Sequence, residues 1–124
     1  MAAVPNRNTK PEISVRKALH RLGYRFRLHR KDLPGNPDIV LPRYRLCIFV
    51  HGCFWHCHTG CKRAVIPASN TEFWIEKFHR NKERDESAIR RLHNTGWRVE
   101  VIWTCEIADA AKFEAAIARV LTST

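Results

Sequence analysis

Acidic residues are scarce in this chain: 12 Asp and Glu stand against 22 Lys and Arg in 124 residues, a formal net charge of +10 with its 7 His counted neutral. So large a deficit points to a polyanionic partner, because each Lys or Arg set against a phosphate releases condensed counterions. A solvated basic surface that only aids solubility is the plainer alternative. Long apolar runs are also missing. Nothing approaches the roughly 18 uninterrupted apolar residues that span a bilayer, and the opening MAAVPNRNTK has no apolar stretch of the secretory kind. The expectation is therefore a cytoplasmic chain with no membrane partner. Repeats, low-complexity tracts and linkers are absent too, and 44% hydrophobic residues suffice for one core. A single domain over 1–124 is expected, with residues 1–8, which show no periodicity, mobile. The five cysteines do not make a disulfide framework, since their number is odd and the expected compartment reducing, so metal binding is the first chemistry to test.

What is present reads as alternating helices and strands. Thr9-Lys10-Pro11-Glu12 matches a capping box and predicts a helix with the stripe Ile13, Val15, Ala18, Leu19 and Leu22, ended by Gly23. Tyr24–Arg30 alternates apolar and polar with the period of a half-buried strand. After the turn Leu33-Pro34-Gly35-Asn36-Pro37, the runs 38–41 and 46–50 read as central strands. Ser69-Asn70-Thr71-Glu72 is a second capping box and opens a long polar helix to about His93, closed at Gly96. Residues 97–103 form a further strand, and Asp109 caps a last helix through Phe113, Ile117, Val120 and Leu121. The order α-β-β-β-α-β-α fits an α/β sandwich around a mixed central sheet flanked by helices.

Three constellations carry chemistry. Cys53, Cys57, His58 and Cys61 crowd into a loop without periodicity, with Cys105 far along the chain. Thiolate and imidazole donors in a tetrahedral set suit structural zinc, whereas buried small hydrophobes would not need to gather in such a loop. Cys53, His58, Cys61 and Cys105 are the first choice, with Cys57 spare and open to a swap; Cys47, inside an apolar strand, reads as core. The second constellation is Asp38, held at a strand start after a tight turn, with His51 at the end of the adjoining strand: a hard divalent cation takes oxygen donors of this kind. An Asp after such a turn can also be a plain turn former. The third is aromatic. Phe54 and Trp55 sit in the Cys/His loop, and Trp74, Lys77, Asn81 and Arg84 share one face of the long helix, with Ile75, Phe78, Ile89 and Leu92 on the core side. An indole, an amine and an amide on one face suit base stacking and base-edge hydrogen bonds; an ordinary amphipathic helix gives the same pattern.

Together, Leu33–Asp38, Phe49-Val50-His51-Gly52-Cys53-Phe54-Trp55-His56, Glu72-Phe73-Trp74 with Asn81 and Arg84-Asp85, Gly96-Trp97-Arg98-Val99 and Trp103-Thr104-Cys105 resemble the very short patch repair (Vsr) DNA mismatch endonucleases, from about Thr9 to Cys105. The resemblance implies a restriction-endonuclease-like (PD-(D/E)xK-related) fold with a zinc-stabilised loop. It also implies magnesium-dependent nicking of double-stranded DNA 5′ to the thymine of a T:G mismatch, the product of 5-methylcytosine deamination. Under it Asp38 and the Val50 carbonyl ligate magnesium, His51 lies near the metal-bound waters, and His56 activates the attacking water. Glu12 is hydrogen-bonded to His56, and Asp85 belongs to the same site. Cys53, His58, Cys61 and Cys105 hold zinc, in agreement with the spacing. Phe54, Trp55 and Trp74 wedge into the base stack, while Lys77 and Asn81 read bases. Mismatch-repair proteins are the expected protein partners of a monomer. Residues 1–7 do not supply the apolar minor-groove wedge usual in the family. Two other readings remain: a nuclease of relaxed or different specificity, for instance in phage defence, and a non-catalytic zinc-stapled DNA-binding module. The union of Asp38, His51 and His56, which a pure binder does not need, separates the last from the enzymes.

Overall fold

The computed structural model of the chain describes residues 9–56 and 58–122; the expectations for residues 1–8 and for Cys57 lie outside them. Helix α1 (Lys10–Arg21) is followed by strands β1 (Arg27–Leu28), β2 (Ile39–Leu41) and β3 (Leu46–His51), helix α2 (Thr71–Asn94), strand β4 (Arg98–Trp103), and helices α3 (Thr104–Ile107) and α4 (Ala110–Thr122). The sheet runs β1-β2-β3-β4. Its first two pairings are antiparallel and β3/β4 is parallel, the crossover between them being α2. This is the expected mixed α/β sheet flanked by helices.

The period of two along β3 divides the core. Leu46 and Ile48 join Val15, Leu19, Ile39, Leu41, Ile102, Ala116, Ile117 and Val120 on the α1/α4 face. Cys47 and Phe49 join Val40 and Leu92 under α2, so Cys47 is core as expected. Burying an Ile or Leu contributes about 1.5–3 kcal/mol, and the fully buried side chains lie on both faces. The 33–37 turn is tied to this second layer: at Gly35, φ +76°, a Cβ would stand 2.7 Å from that of Ala88. Only glycine allows that approach, and the turn leads directly to Asp38.

Four local expectations need correction. The strand foreseen over Tyr24–Arg30 is two residues long; Tyr24 and Phe26 do pack on the core, but His29 turns into the left-handed region at φ +50° and ends the pairing. At α1, Thr9 accepts the Glu12 amide at 3.4 Å, while the Glu12 carboxylate turns to other partners instead of closing the box. The second capping box does not form. Asn70 caps α2 from the left-handed region without a side-chain bond, and the Thr71 hydroxyl donates backwards to the Pro67 and Ala68 carbonyls. Ile75, assigned to the core face of α2, is 50% exposed, because α2 extends beyond the sheet in its first turns and meets the Cys/His loop there. The short helix α3 was unforeseen; Glu106 closes its start by accepting the Trp103 amide at 3.0 Å.

Candidate active site and metal centre

Because β3 and β4 are parallel and in register at His51 and Trp103, the chain leaves both strands at the same end of the sheet. Two residues further on, Cys53 and Cys105 are neighbours for the same reason. Loop 52–70 folds back over this end, and α2 lines its side.

The first cluster is built of sulfur and imidazole donors. One ligand atom from each of Cys53, His58, Cys61 and Cys105 lies within 4.8 Å of the others, with Cys105 Sγ and His58 Nδ1 3.5 Å apart. The Cys53 sulfur accepts from the Thr104 hydroxyl at 3.3 Å and the Cys105 amide at 3.4 Å. Burial alone would raise the Cys53 thiol, but those donors, together with the His58 and Cys105 side chains, outweigh it and bring it down to about 7. Burial, then the neighbouring sulfurs, push Cys105 up to about 11. Negative charge on neighbouring sulfurs needs a cation to balance it, and tetrahedral zinc, at about 2.0–2.3 Å from N and S donors, fits the separations. Trp103 stacks flat on the His58 ring, centroids 3.9 Å apart. Its place between the two clusters, like that of Thr104, was not foreseen, although both residues stand in the Trp103-Thr104-Cys105 string at the end of an apolar strand.

On the other side of Trp103 lies a histidine pair. His51 and His56 stack face to face, 3.8 Å between centroids and 1° between planes, and Trp103 meets His51 edge-on at 5.3 Å. His56 Nδ1 is 2.6 Å from Asp85 Oδ2. An ionised carboxylate only accepts, so Nδ1 carries a proton, and whenever the ring is neutral Nε2 holds the lone pair. Burial, then the charge of His56, lowers His51 to about 4, so His51 is neutral near pH 7.

Asp38, just before β2, is near enough to His56 to feel its charge. Its Oδ2 accepts the Val50 amide at 2.7 Å, which anchors it to β3 beyond the last β2/β3 pair, Ile39↔Ile48. Burial pushes its carboxyl up to about 6 against the lowering effect of that hydrogen bond, and the Glu12 charge adds to the rise. A desolvated carboxyl with one amide donor is a group that gains from a cation, which is the fit required of a magnesium ligand. Glu12 does not hydrogen-bond to His56, contrary to expectation. It receives Arg16 Nη2 at 2.8 Å and lies 2.8 Å from His29 Nε2, and Asp85 is the partner of His56. His29 was missed; it read only as one residue of an alternating strand.

The aromatic residues form a patch beside the histidines. Phe54 meets Trp55, Trp74 and Phe78 at 5.1, 5.4 and 5.2 Å, and Phe78 is 3% exposed, so Phe54 is anchored from beneath. Lys77 Nζ lies 5.7 Å from the Trp55 ring centroid. Asn81 donates its amide to the Trp55 carbonyl at 2.9 Å, which braces the loop. Arg84 is exposed on the same helix.

The family model for the DNA mismatch endonuclease Vsr matches residues 1–63. A type II nicking enzyme of Xanthomonas oryzae pv. oryzae is 50% identical over 121 residues, 98% of this chain and 88% of that protein. The chain belongs to the Vsr endonuclease family. The DNA mismatch endonuclease Vsr of Escherichia coli is 44% identical over 112 residues, 90% of this chain and 71% of its own length. A type II nicking enzyme of Neisseria meningitidis is 44% identical over 111 residues, 90% and 79% of the two chains. Vsr-family nucleases act on DNA, and the +10 charge suits that substrate. Among the described residues no helix is long and apolar enough to cross a membrane.

Proposed function

We propose that this Vsr-family endonuclease is magnesium-dependent and zinc-stabilised, and nicks duplex DNA 5′ to the thymine of a T:G mismatch. The observation that carries the reading is the His56–Asp85 pair, stacked on a neutral His51, with Asp38 held beside β3 by the Val50 amide. His56 Nε2 accepts a proton from the attacking water, and Asp85 holds the ring in the required tautomer and balances the imidazolium that forms. His51, flat against His56, fixes the plane of that ring. Magnesium, held by Asp38 with the Val50 carbonyl, would neutralise charge on the attacked phosphate and leaving oxygen. Zinc on Cys53, His58, Cys61 and Cys105 would tie the loop bearing His56 to the end of β4. Phe54, Trp55 and Trp74 form the wedge beside the mismatch; Lys77 and the Asn81 Oδ1 serve base edges.

The test is to incubate the protein with magnesium and labelled duplexes that differ only by T:G against C:G, then map the nick. A cut 5′ to the mismatched T and little on C:G supports the proposal. The relatives named type II nicking enzymes favour a second reading, a nickase of other specificity, and equal cutting of both duplexes would support that one. No cut on either sinks both and leaves a DNA-binding module.

A further inference from the structure

Glu12 is a carboxylate in an unusual place: in the first turn of α1 and only 2% exposed. A charge so buried must be paired, and two residues with no part in the proposed chemistry pair it. Arg16, one turn along α1, donates from Nη2 to Glu12 Oε1 at 2.8 Å. His29 brings Nε2 to the same oxygen, also at 2.8 Å. Both side chains are mostly covered, 17% and 18% exposed. The His29 backbone takes a left-handed φ of +50° that β-branched and bulky residues avoid. Its amide donates to the Asp38 carbonyl at 3.2 Å, so the imidazole is registered to Asp38 itself. One ligand atom from each of Glu12, His29 and Asp38 lies within 4.8 Å of the others.

We propose that Arg16 and His29 are positioning residues that fix the Glu12 carboxylate facing Asp38, so that the divalent cation of the site meets two carboxylates instead of one. A single carboxylate is a thin site for a hard cation, and two that face one another repel until a cation joins them. The Arg16 and His29 nitrogens on Oε1, themselves 3.1 Å apart, remove the freedom of Glu12 to swing away, which is how outlying partners tune a metal site. The inference rests on the proposed magnesium site, but it is tested without DNA.

The test measures Mn2+ binding to the free protein by electron paramagnetic resonance, then nicking kinetics and thermal unfolding, for Arg16→Ala, His29→Asn, His29→Gln and Glu12→Gln. Asn tolerates the left-handed backbone but is too short to reach Glu12, whereas Gln presents an N–H at greater reach. Mn2+ affinity is expected to fall about tenfold in Arg16→Ala, His29→Asn and Glu12→Gln, and to recover to within about threefold of wild type in His29→Gln. In the nicking assay kcat falls while the KM for DNA holds. Wild-type Mn2+ affinity in both Arg16→Ala and His29→Asn, with only the melting temperature lowered, would overturn the clamp and leave a structural ion pair. Weakened Mn2+ binding in a protein that nicks no duplex would keep the clamp and remove the nuclease reading.

Discussion

The two clusters on either side of Trp103 use similar residues in opposite ways. In the Cys53, His58, Cys61 and Cys105 group the ligand atoms converge on one another, and the Cys53 sulfur is further satisfied by Thr104 and the Cys105 amide. This is a closed arrangement that binds loop 52–70 to β4 and α3. In the His51, His56 and Asp85 group, one nitrogen of His56 is committed to Asp85 and the other has no hydrogen bond among the described residues, while Asp38 carries a carboxyl whose ionised form burial disfavours. On the proposed function the first is a strut whose donors a zinc ion would use up, and the second a site left open for the substrate. Structural and catalytic metal centres divide in the same way, by whether a position remains open.

The sharpest way to break the comparison is to cut the strut. Cys105→Ser, or prolonged chelation of the wild type, is expected to lower the melting temperature by 10 °C or more, about the effect of losing several kcal/mol in a domain of this size, and to abolish nicking with it. Elemental analysis should find one zinc per wild-type chain. Zinc-free wild-type protein that unfolds at the same temperature would remove the structural role assigned to the tetrad.

Changes in the open cluster should do the reverse and spare the fold. His56→Ala is expected to slow nicking ~10²–10⁴-fold, the usual loss for a general base, with the melting temperature held within about 2 °C of wild type, as expected of a substitution made away from the core. An unchanged rate would move proton abstraction to another group. Asp38→Ala should leave no measurable nicking and nearly unaltered DNA affinity, since the phosphate contacts that carry affinity lie with Lys and Arg.

Asp38 also makes the contrast visible in stability. Its carboxyl is held at about 6 against an ordinary value of 3.8. The folded protein therefore binds the proton more tightly than the unfolded chain, so stability falls as pH rises from about 4 to about 6 and stays lower above that. The gap corresponds to at most about 3 kcal/mol. In metal-free protein Asp38→Asn is expected to unfold at higher temperature than wild type at pH 8, and at nearly the same temperature at pH 3.5. A gain of equal size at both pH values would mean that the amide packs better and that the carboxylate carries no strain.

Part of the open cluster was legible from the residues themselves, Asp38 and His51 as a candidate cation site, while His56 and Asp85 entered only through the family resemblance. The 33–38 turn and the 49–56 string place Asp38, His51 and His56 with little freedom, and ligand chemistry and spacing grouped Cys53, His58, Cys61 and Cys105, which the fold brings together. What could not be read were pairings settled by the docking of one element on another. Glu12 matched a capping box, yet its carboxylate is drawn to Arg16 and His29, because α1 lies against the end of β1 and a buried charge takes the strongest donors within reach. The second capping box failed for a similar reason: the loop arrives at Asn70 in a left-handed conformation, from which its side chain makes no cap bond. Trp103 and Thr104 gain their roles only once β3 and β4 are paired in parallel.

The smallest expected effect concerns the aromatic patch, which belongs to neither cluster and links loop to helix. A wedge costs a few kcal/mol per base step that it unstacks, and a T:G pair is weaker and displaced relative to Watson–Crick pairs, so insertion is cheaper at the mismatch than elsewhere. The patch has the build of a wedge, since Trp55 and Trp74 are half-buried and Phe54 is propped on buried Phe78. Trp74 touches Phe54, Trp55, Phe73 and Phe78, so its removal weakens both wedge and support. Trp74→Ala is expected to lower the ratio of T:G to C:G nicking about three- to tenfold, on the order of 1 kcal/mol of lost discrimination, while nonspecific binding at a fixed salt concentration changes less than twofold. Nicking rates on matched and mismatched duplexes measured side by side give that ratio directly. Equal loss on both would show that the indole is packing for the His56 loop, and the aromatic patch would then belong with the strut.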